Sequence, residues 1–345
     1  MKVAIHDRKN SYSARWIEYC KEKSIEYKIV NAYDSDIIEQ VKDCDIFLWH
    51  HHHNIYKDNI FAKELLFSLQ QSGKVVFPDF NTGWHFDDKL GQKYLFEAHG
   101  IDIAKAWAFY DKKTAYEWID QTDFPKVFKL RGGAGSSNVY LVKNKTQARK
   151  LVKKAFGNGF GTDYLRLAFD KLKLWMQGKG ALSEFFRYMA FFVFPRRFNK
   201  HLTTTQKGYL YFQEFIPNEG CDYRVEIVGD KAIAMIRNTR KGDFRASGSN
   251  NINKNPDDFP KDVLNFSFDI TDKLGFQAAA LDVVKDIKTG KPYLIECSYS
   301  YGVDDDEFDH GYWTKDGIWH NESFNGLDWM IEATIKQAQN KYFTK

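Results

Sequence analysis

Cysteine is scarce in this 345-residue chain: Cys20, Cys44, Cys221 and Cys297 are its four, and no two form a C-x-x-C pair. That spacing points away from a zinc site and from a disulfide framework, and it fits a reducing cytoplasm. Long apolar runs are also missing. The longest, 188–194, is far too short to span a bilayer, and the charged first thirty residues contain no secretory h-region. No G-x-G-x-x-G follows the first strand-like segment, so a dinucleotide site is not expected there. No Ser-His-Asp or Cys-His arrangement stands out as a nucleophilic centre. The net charge of +4 is modest, so no nucleic-acid partner is expected. With 43% apolar and 28% charged residues the chain is an ordinary globular one, long enough for two or three lobes.

Aromatic residues, by contrast, are abundant at 17%. Periodicity predicts strands at 2–6, 26–30, 45–49 and 74–77, alternating with helices at 13–23, 37–42, 57–71 and 87–98. This alternation predicts a parallel sheet with helical crossovers over residues 1–85. At the carboxyl end of the third strand stands His50-His51-His52-His53-Asn54. Open α/β sheets bind ligands there, so the cluster suits substrate contact as well as a plain solvated loop. A metal site is less favoured, because no carboxylate or cysteine is spaced to complete it.

Residues 124–139 set a short apolar strand ending in Lys129 before a glycine-serine turn that re-enters a second strand. Lys129 offers a point charge to a phosphate. Gly132, Gly133 and Gly135 let backbone N–H groups approach an anion, and Ser136 and Ser137 add donors without bulk. A tight hairpin uses glycine for steric reasons too. Further on, the strand 209–217 carries Gln213-Glu214-Phe215-Ile216, whose backbone can meet a flat base edge. Strands 223–228 and 231–237 follow, joined by the two-residue turn Gly229-Asp230. Arg245, in the loop 241–251, is suited to a bidentate grip on a phosphoryl group. A helix over 261–274 precedes the strand with Asp282, and 292–297 carries Glu296 opposite it. Paired carboxylates there suit one or two Mg²⁺ ions, or else balance neighbouring Lys and Arg.

Taken in order, Asp88-Lys89, Lys129 with its loop, Gln213 to Ile216, Cys221-Asp222-Tyr223-Arg224, Gly242-Asp243-Phe244-Arg245, and the Asp282 and Glu296 pair resemble the ATP-grasp ligase superfamily. Residues 213–296 look most similar to the ribosomal-protein glutamate ligases. The resemblance implies an α/β chain with α+β lobes: a Rossmann-like pre-ATP-grasp domain at 1–85, a central subdomain at 86–215 and a C-terminal subdomain with the metal site at 216–345. It implies ATP and Mg²⁺ (or Mn²⁺) as cofactors. Lys89 and Lys129 would hold the phosphates, the latter under the loop of Arg131, Gly133, Gly135, Ser136 and Ser137. Gln213, Glu214, Phe215 and Ile216 would meet adenine, and Asp222, or else Glu219, the ribose. Arg245 and Lys129 would steady the transferring phosphoryl group, with Asp282, Glu296 and Ser298 on the metal. One departure is Ser298, where the family usually has Asn. A hydroxyl is a shorter ligand than an amide carbonyl, so a second metal would be bound loosely or completed by water.

The implied reaction is ADP-forming ligation of a carboxylate to an amine through an acyl phosphate. Residues 161–207 fall outside the usual pattern and carry nine Lys and Arg against three acids, a balance of +6. Interleaved with aromatics, such a helical insert suits an anionic membrane surface or a lipid-linked acidic glycan, and equally a lid or a dimer contact. The tail, with Asp304 to Glu307, His310, Tyr312, Trp313, Trp319 and His320, resembles ATP-grasp proteins associated with surface-polysaccharide biosynthesis. That resemblance implies a sugar acid or glycan as the carboxylate. An amino-acid or peptide ligase and a non-catalytic nucleotide-binding scaffold are the alternatives. Localisation at the inner face of the membrane would follow from the insert.

Overall fold

The computed structural model describes residues 1–133, 138–161, 164–176, 178, 180–194, 205–239, 243–246, 248, 251–302 and 310–343. The expected parallel sheet is present. Strands β1 (Lys2–His6), β2 (Glu26–Val30), β3 (Ile46–Leu48) and β4 (Val75–Phe77) lie in the order β2-β1-β3-β4, all parallel. Side chains alternate along a strand, so the short apolar strands serve two faces. Ala4, Phe47 and Val76 point to the helix Tyr56–Gln71 through Ala62, Leu66 and Leu69. Val3, Ile5, Leu48 and Phe77 point the other way, to Trp16 on the helix Ser13–Glu22 and to Met330 and Ile331 on the helix Gly326–Phe343. Sequence reading did not foresee that last helix, which closes a sheet begun at the opposite end of the chain.

The expected helix at 87–98 begins at Lys89, because Asp88 caps it: Asp88 Oδ1 accepts from the Gly91 N–H at 2.9 Å. A four-stranded antiparallel sheet follows, in the order β5-β8-β6-β7: β5 (Ala106–Phe109), β6 (Lys126–Lys129), β7 (Val139–Val142) and β8 (Leu210–Glu214). Helices Lys112–Gln121 and Lys145–Ala155 cover one of its faces through Ile119, Val152, Phe128 and Phe212. Neither β5 nor the helix Lys112–Gln121 was anticipated. Strand β8 is shorter than the expected 209–217.

Between β7 and β8 the insert forms two helices, Tyr164–Met176 and Leu182–Val193, which pack on each other through Tyr164 with Phe191 and Phe169 with Phe185. The second helix buries no residue. Phe186 and Phe194 are 61% and 57% exposed.

The third sheet has seven strands. Its path β13-β12-β9-β10-β14-β15 uses β9 (Cys221–Val228), β10 (Lys231–Asn238), β12 (Ala278–Lys285), β13 (Pro292–Ser298), β14 (Tyr312–Thr314) and β15 (Trp319–His320), and β11 (Ile252–Asn253) pairs with β10. Val228 pairs with Lys231 across the Gly229-Asp230 turn, as expected, with Gly229 at φ 60°. One face of this sheet packs on the helix Lys261–Leu274 through Val225, Leu281, Val283 and Phe268. The other face, with the N-terminal domain and the small sheet, encloses a cavity of about 1140 Å³.

Candidate active site

Strand register assembles the floor of the cavity. Asp282 on β12 pairs with Arg224 on β9 and with Glu296 on β13, forming one cross-strand row. Behind it, Ala280 lies between Glu226 and Ser298, and Arg237 on β10 pairs with Asp222. The register slips after Asp282, so that Val283 pairs with Leu294 and Ile295 is left over. A bulge of this kind re-aims side chains, and here Ile295 and Glu296 both line the cavity.

The row is a charge network. Arg224 donates to Glu226 at 2.7 Å and to Asp282 Oδ1 at 3.0 Å. Arg237 grips Asp222 through two bonds of 2.7 and 2.8 Å and reaches Asp282 Oδ2 at 2.9 Å. Burial pushes the Asp282 carboxyl up, but Arg237 and Arg224 outweigh it and hold the group below its usual range. Asp222, buried and beside Asp282, is pushed up to about 6. Asp222, proposed above for the ribose, lines the cavity with its carboxylate bound to Arg237.

The two lysines differ. Lys89 does not reach the cavity: its ammonium pairs with Glu296 at 2.8 Å and donates to the Gly133 carbonyl at 3.0 Å. Burial works against its charge, yet Glu296 and Asp87 outweigh burial and raise its pKa. Lys89 therefore ties the base of the glycine loop to the carboxylate strand. Lys129 is 5% exposed and lines the cavity, and no hydrogen bond or ion pair engages it among the described residues. Burial, opposed by Glu296 and reinforced by Lys89, pushes it down to about 8.

The glycine loop is anchored at its start. The Gly133 N–H donates to Asp87 Oδ1 at 2.8 Å, and a Cβ on Gly132 would meet Asp87 Oδ2 at 2.9 Å, so a larger residue there would push the anchoring carboxylate aside. Arg131 pairs with Asp88 at 2.6 Å and is not on the cavity wall, because the helix-capping carboxylate draws it outward. Gly135, Ser136 and Ser137 lie outside the described residues, as do Gly242 and Asp304 to Glu307.

Gln213, Glu214, Phe215 and Ile216 all line the cavity. Val127 pairs with Gln213 across β6 and β8, which places this segment beside Lys129. Glu214 is held by Lys126 at 3.0 Å, and Phe215 and Phe244 meet edge to face at 6.2 Å. Arg245 also lines the cavity, with its guanidinium folded onto Asp243 at 2.7 Å.

Asp282 and Glu296 are opposite each other on the cavity wall, with the Ser298 oxygen on the next outward position of β13. Hard oxygen donors so placed fit a divalent cation completed by phosphate and water. Among the described residues no group of three or more His, Cys, Asp or Glu could hold a metal by itself. The Ser298 hydroxyl donates to the Ser300 carbonyl at 2.6 Å, which leaves its oxygen able to coordinate.

His50, His52 and His53 line the far end of the cavity, while His51 is buried behind them. The cluster is thus mostly packed rather than a solvated loop. Burial, then Arg8, pushes His50 down to about 3, and burial with His53 pushes His52 to about 4. Sequence reading missed Arg237 and Ser300, whose places in the site depend on strand register and on a turn far from the other motifs.

No protein-family model matches the chain. It is 20% identical over 280 residues to the α-aminoadipate–LysW ligase LysX of Saccharolobus solfataricus, covering 79% of this chain and 83% of the relative. The D-alanine–D-alanine ligase of Bacillus anthracis, solved with ATP, superposes with a TM-score of 0.55 at 15% identity over 99% of both chains. A RimK-domain ATP-grasp protein of Sphaerobacter thermophilus superposes with a TM-score of 0.53 at 14% identity, over 97% of this chain and 98% of the other.

Proposed function

From a chain with the ATP-grasp fold and this cavity, we infer an ATP-dependent, ADP-forming carboxylate–amine ligase. The observation that carries the reading is Lys129, a buried ammonium with no partner among the described residues, placed in one cavity with the facing pair Asp282 and Glu296. An unpaired buried cation is costly, and a polyphosphate supplies the missing anion. Gln213 to Ile216 would receive the base beside Val127. Lys129 and Arg245 would hold the phosphates, with Arg245 leaving Asp243 to do so. Asp282, Glu296 and Ser298 would hold Mg²⁺, which would supply positive charge to neutralise that developing on the phosphates. In this chemistry the chain needs no nucleophile, because the acid attacks the γ-phosphate and the amine then displaces phosphate from the acyl phosphate. Holding donor and acceptor in line and excluding water is the protein's part.

For the acid, the named relatives act on amino acids, which supports an amino-acid or peptide carboxylate. The aromatic tail supports a sugar acid or glycan on resemblance alone. Titrating Mg²⁺ and ATP by calorimetry into the wild type and Lys129→Ala tests the nucleotide site, with saturable binding in the wild type and its loss in the variant as the expected result. Absence of Mg²⁺-dependent binding in the wild type removes the ligase reading. ADP release with hydroxylamine as a general amine, screened over amino acids, peptides and uronic acids, then separates the two acids from each other and from a silent scaffold.

A further inference from the structure

The helix pair Tyr164–Met176 and Leu182–Val193 is folded on itself and open to the outside. Between the helices Tyr164 meets Phe191 and Phe169 meets Phe185, while Ala168 is fully buried. On the outside, Phe169, Lys173 and Met176 follow at i, i+4 and i+7 and are all exposed, Met176 by 74%. Phe186 and Val193 make the matching i, i+7 stripe on the second helix, at 61% and 54%. Among the described residues the exposed Phe and Trp side chains, Phe80 excepted, are all on this pair or at Phe194 just after it. Apolar side chains gathered in this way on a surface mark an interaction site.

Charge gives the sign of the partner. Residues 161–207 carry +6 against +4 for the whole chain, so the remainder is net acidic. Glu184 is paired with Lys171 at 3.0 Å and with Arg187 at 3.3 Å, and no acid engages Lys173 among the described residues. A second copy of the chain would set two basic faces together, which like-charge repulsion opposes. An acidic polypeptide satisfies the cations but not Phe and Met side chains spread over two helices. An anionic bilayer satisfies both, because the cations stay at headgroup level while the apolar side chains enter the acyl boundary.

We propose that the helix pair is an arm that docks on an anionic lipid surface, with Phe169, Met176, Phe186 and Val193 entering the bilayer and Lys173 at the headgroups. The root of the arm is tied to the glycine loop. Phe160 and Gln206 exchange backbone hydrogen bonds of 2.8 and 2.9 Å. Gln206 Oε1 accepts from the Tyr209 hydroxyl, whose oxygen accepts from the Arg131 N–H at 2.7 Å. The helix Tyr164–Met176 is roughly 20 Å long, so a docked arm keeps the glycine-loop side of the cavity about that far from the bilayer.

The test is cosedimentation of the full chain with vesicles in the absence of nucleotide, so its outcome is independent of the ligase reading. Vesicles of phosphatidylserine mixed with phosphatidylcholine are expected to bind, less as salt is raised, and phosphatidylcholine alone to bind far more weakly. Lys173→Gln should weaken binding by about five-fold, the loss of one cation near the surface. Phe186→Trp, at an exposed position, should add fluorescence that brominated acyl chains quench. No binding to the anionic vesicles, equal binding to both kinds, an unchanged affinity in Lys173→Gln, or a Phe186→Trp signal that brominated lipid leaves alone would each overturn the proposal. Binding to polyglutamate in place of vesicles would likewise overturn it, in favour of an acidic polypeptide.

Discussion

Two buried lysines one loop apart carry opposite assignments in this protein. Lys89 is neutralised by Glu296, whereas Lys129 has no partner among the described residues and faces the cavity. Replacing Lys129 by Ala should weaken Mg·ATP by roughly ten- to hundred-fold, the loss of a charged hydrogen bond. Thermal denaturation should show a midpoint no lower than that of the wild type, since no ion pair is removed and an unpaired buried charge is. Its pKa of about 8 also sets a pH dependence. Below that pH the ammonium is already charged and affinity is full. As pH rises past it, binding must first take up a proton, and affinity falls as pH passes through the raised pKa of the complex. Calorimetry in two buffers of different ionisation enthalpy reads this as proton uptake that appears above about pH 8.

The carboxylates should separate in the same manner. Asp282 is held by both Arg224 and Arg237. Asp282→Asn uncompensates buried guanidiniums and should cost about 3–5 kcal/mol of stability, read by urea unfolding. Glu296→Gln breaks the ion pair with Lys89 alone, removes the charge that supports the Lys129 ammonium, and should raise the Mg²⁺ requirement of ATP binding at a smaller loss of stability.

At the scale of elements, the helix pair Tyr164–Met176 and Leu182–Val193 is the part least absorbed by the fold. Leu182–Val193 has no fully buried residue, and Phe186 and Phe192 are 61% and 49% exposed. No helix among the described residues is long and apolar enough to cross a membrane. Exposed aromatic faces of this kind mark interaction surfaces, and the +6 balance of 161–207 favours an anionic one. Salt-sensitive cosedimentation with vesicles containing phosphatidylserine, lost in a Phe186→Ser, Phe192→Ser double variant that still binds Mg·ATP, would assign the face to an anionic surface. A concentration-dependent elution volume without vesicle binding would assign the face to a second copy of the chain.

Across the whole molecule, the first and last helices form one seam. Trp16 is fully buried, meets Phe77 edge-on at 5.6 Å and donates from Nε1 to the Leu327 carbonyl at 3.1 Å. Beside it Arg15 grips Asp328 at 2.6 and 2.7 Å. Trp16→Ala should lower stability by about 3–5 kcal/mol. Because the seam joins the two lobes that carry His50 and Ser300, the same variant should loosen the His50 to Ser300 bond, read in the ¹⁵N signals of His50.

By itself the sequence determined which chemistry was available and the larger part of the scaffold. Alternating short apolar strands and amphipathic helices encode the parallel N-terminal sheet. The glycines after Lys129, the Gly229-Asp230 turn and the facing Asp282 and Glu296 are local signals that the strand register respects. Tertiary structure alone decided which charged groups face the cavity. Lys89 and Arg131 have the composition of phosphate ligands, yet Glu296 and Asp88, set beside them by folding, satisfy them first. The cover that Gly326–Phe343 lays over a sheet begun at Lys2, and the bond from His50 to Ser300 across 250 residues, were equally hidden. The reason is physical. Periodicity and turn chemistry act over a few neighbouring residues, whereas the partner of a buried charge is whichever opposite charge the fold brings within about 4 Å.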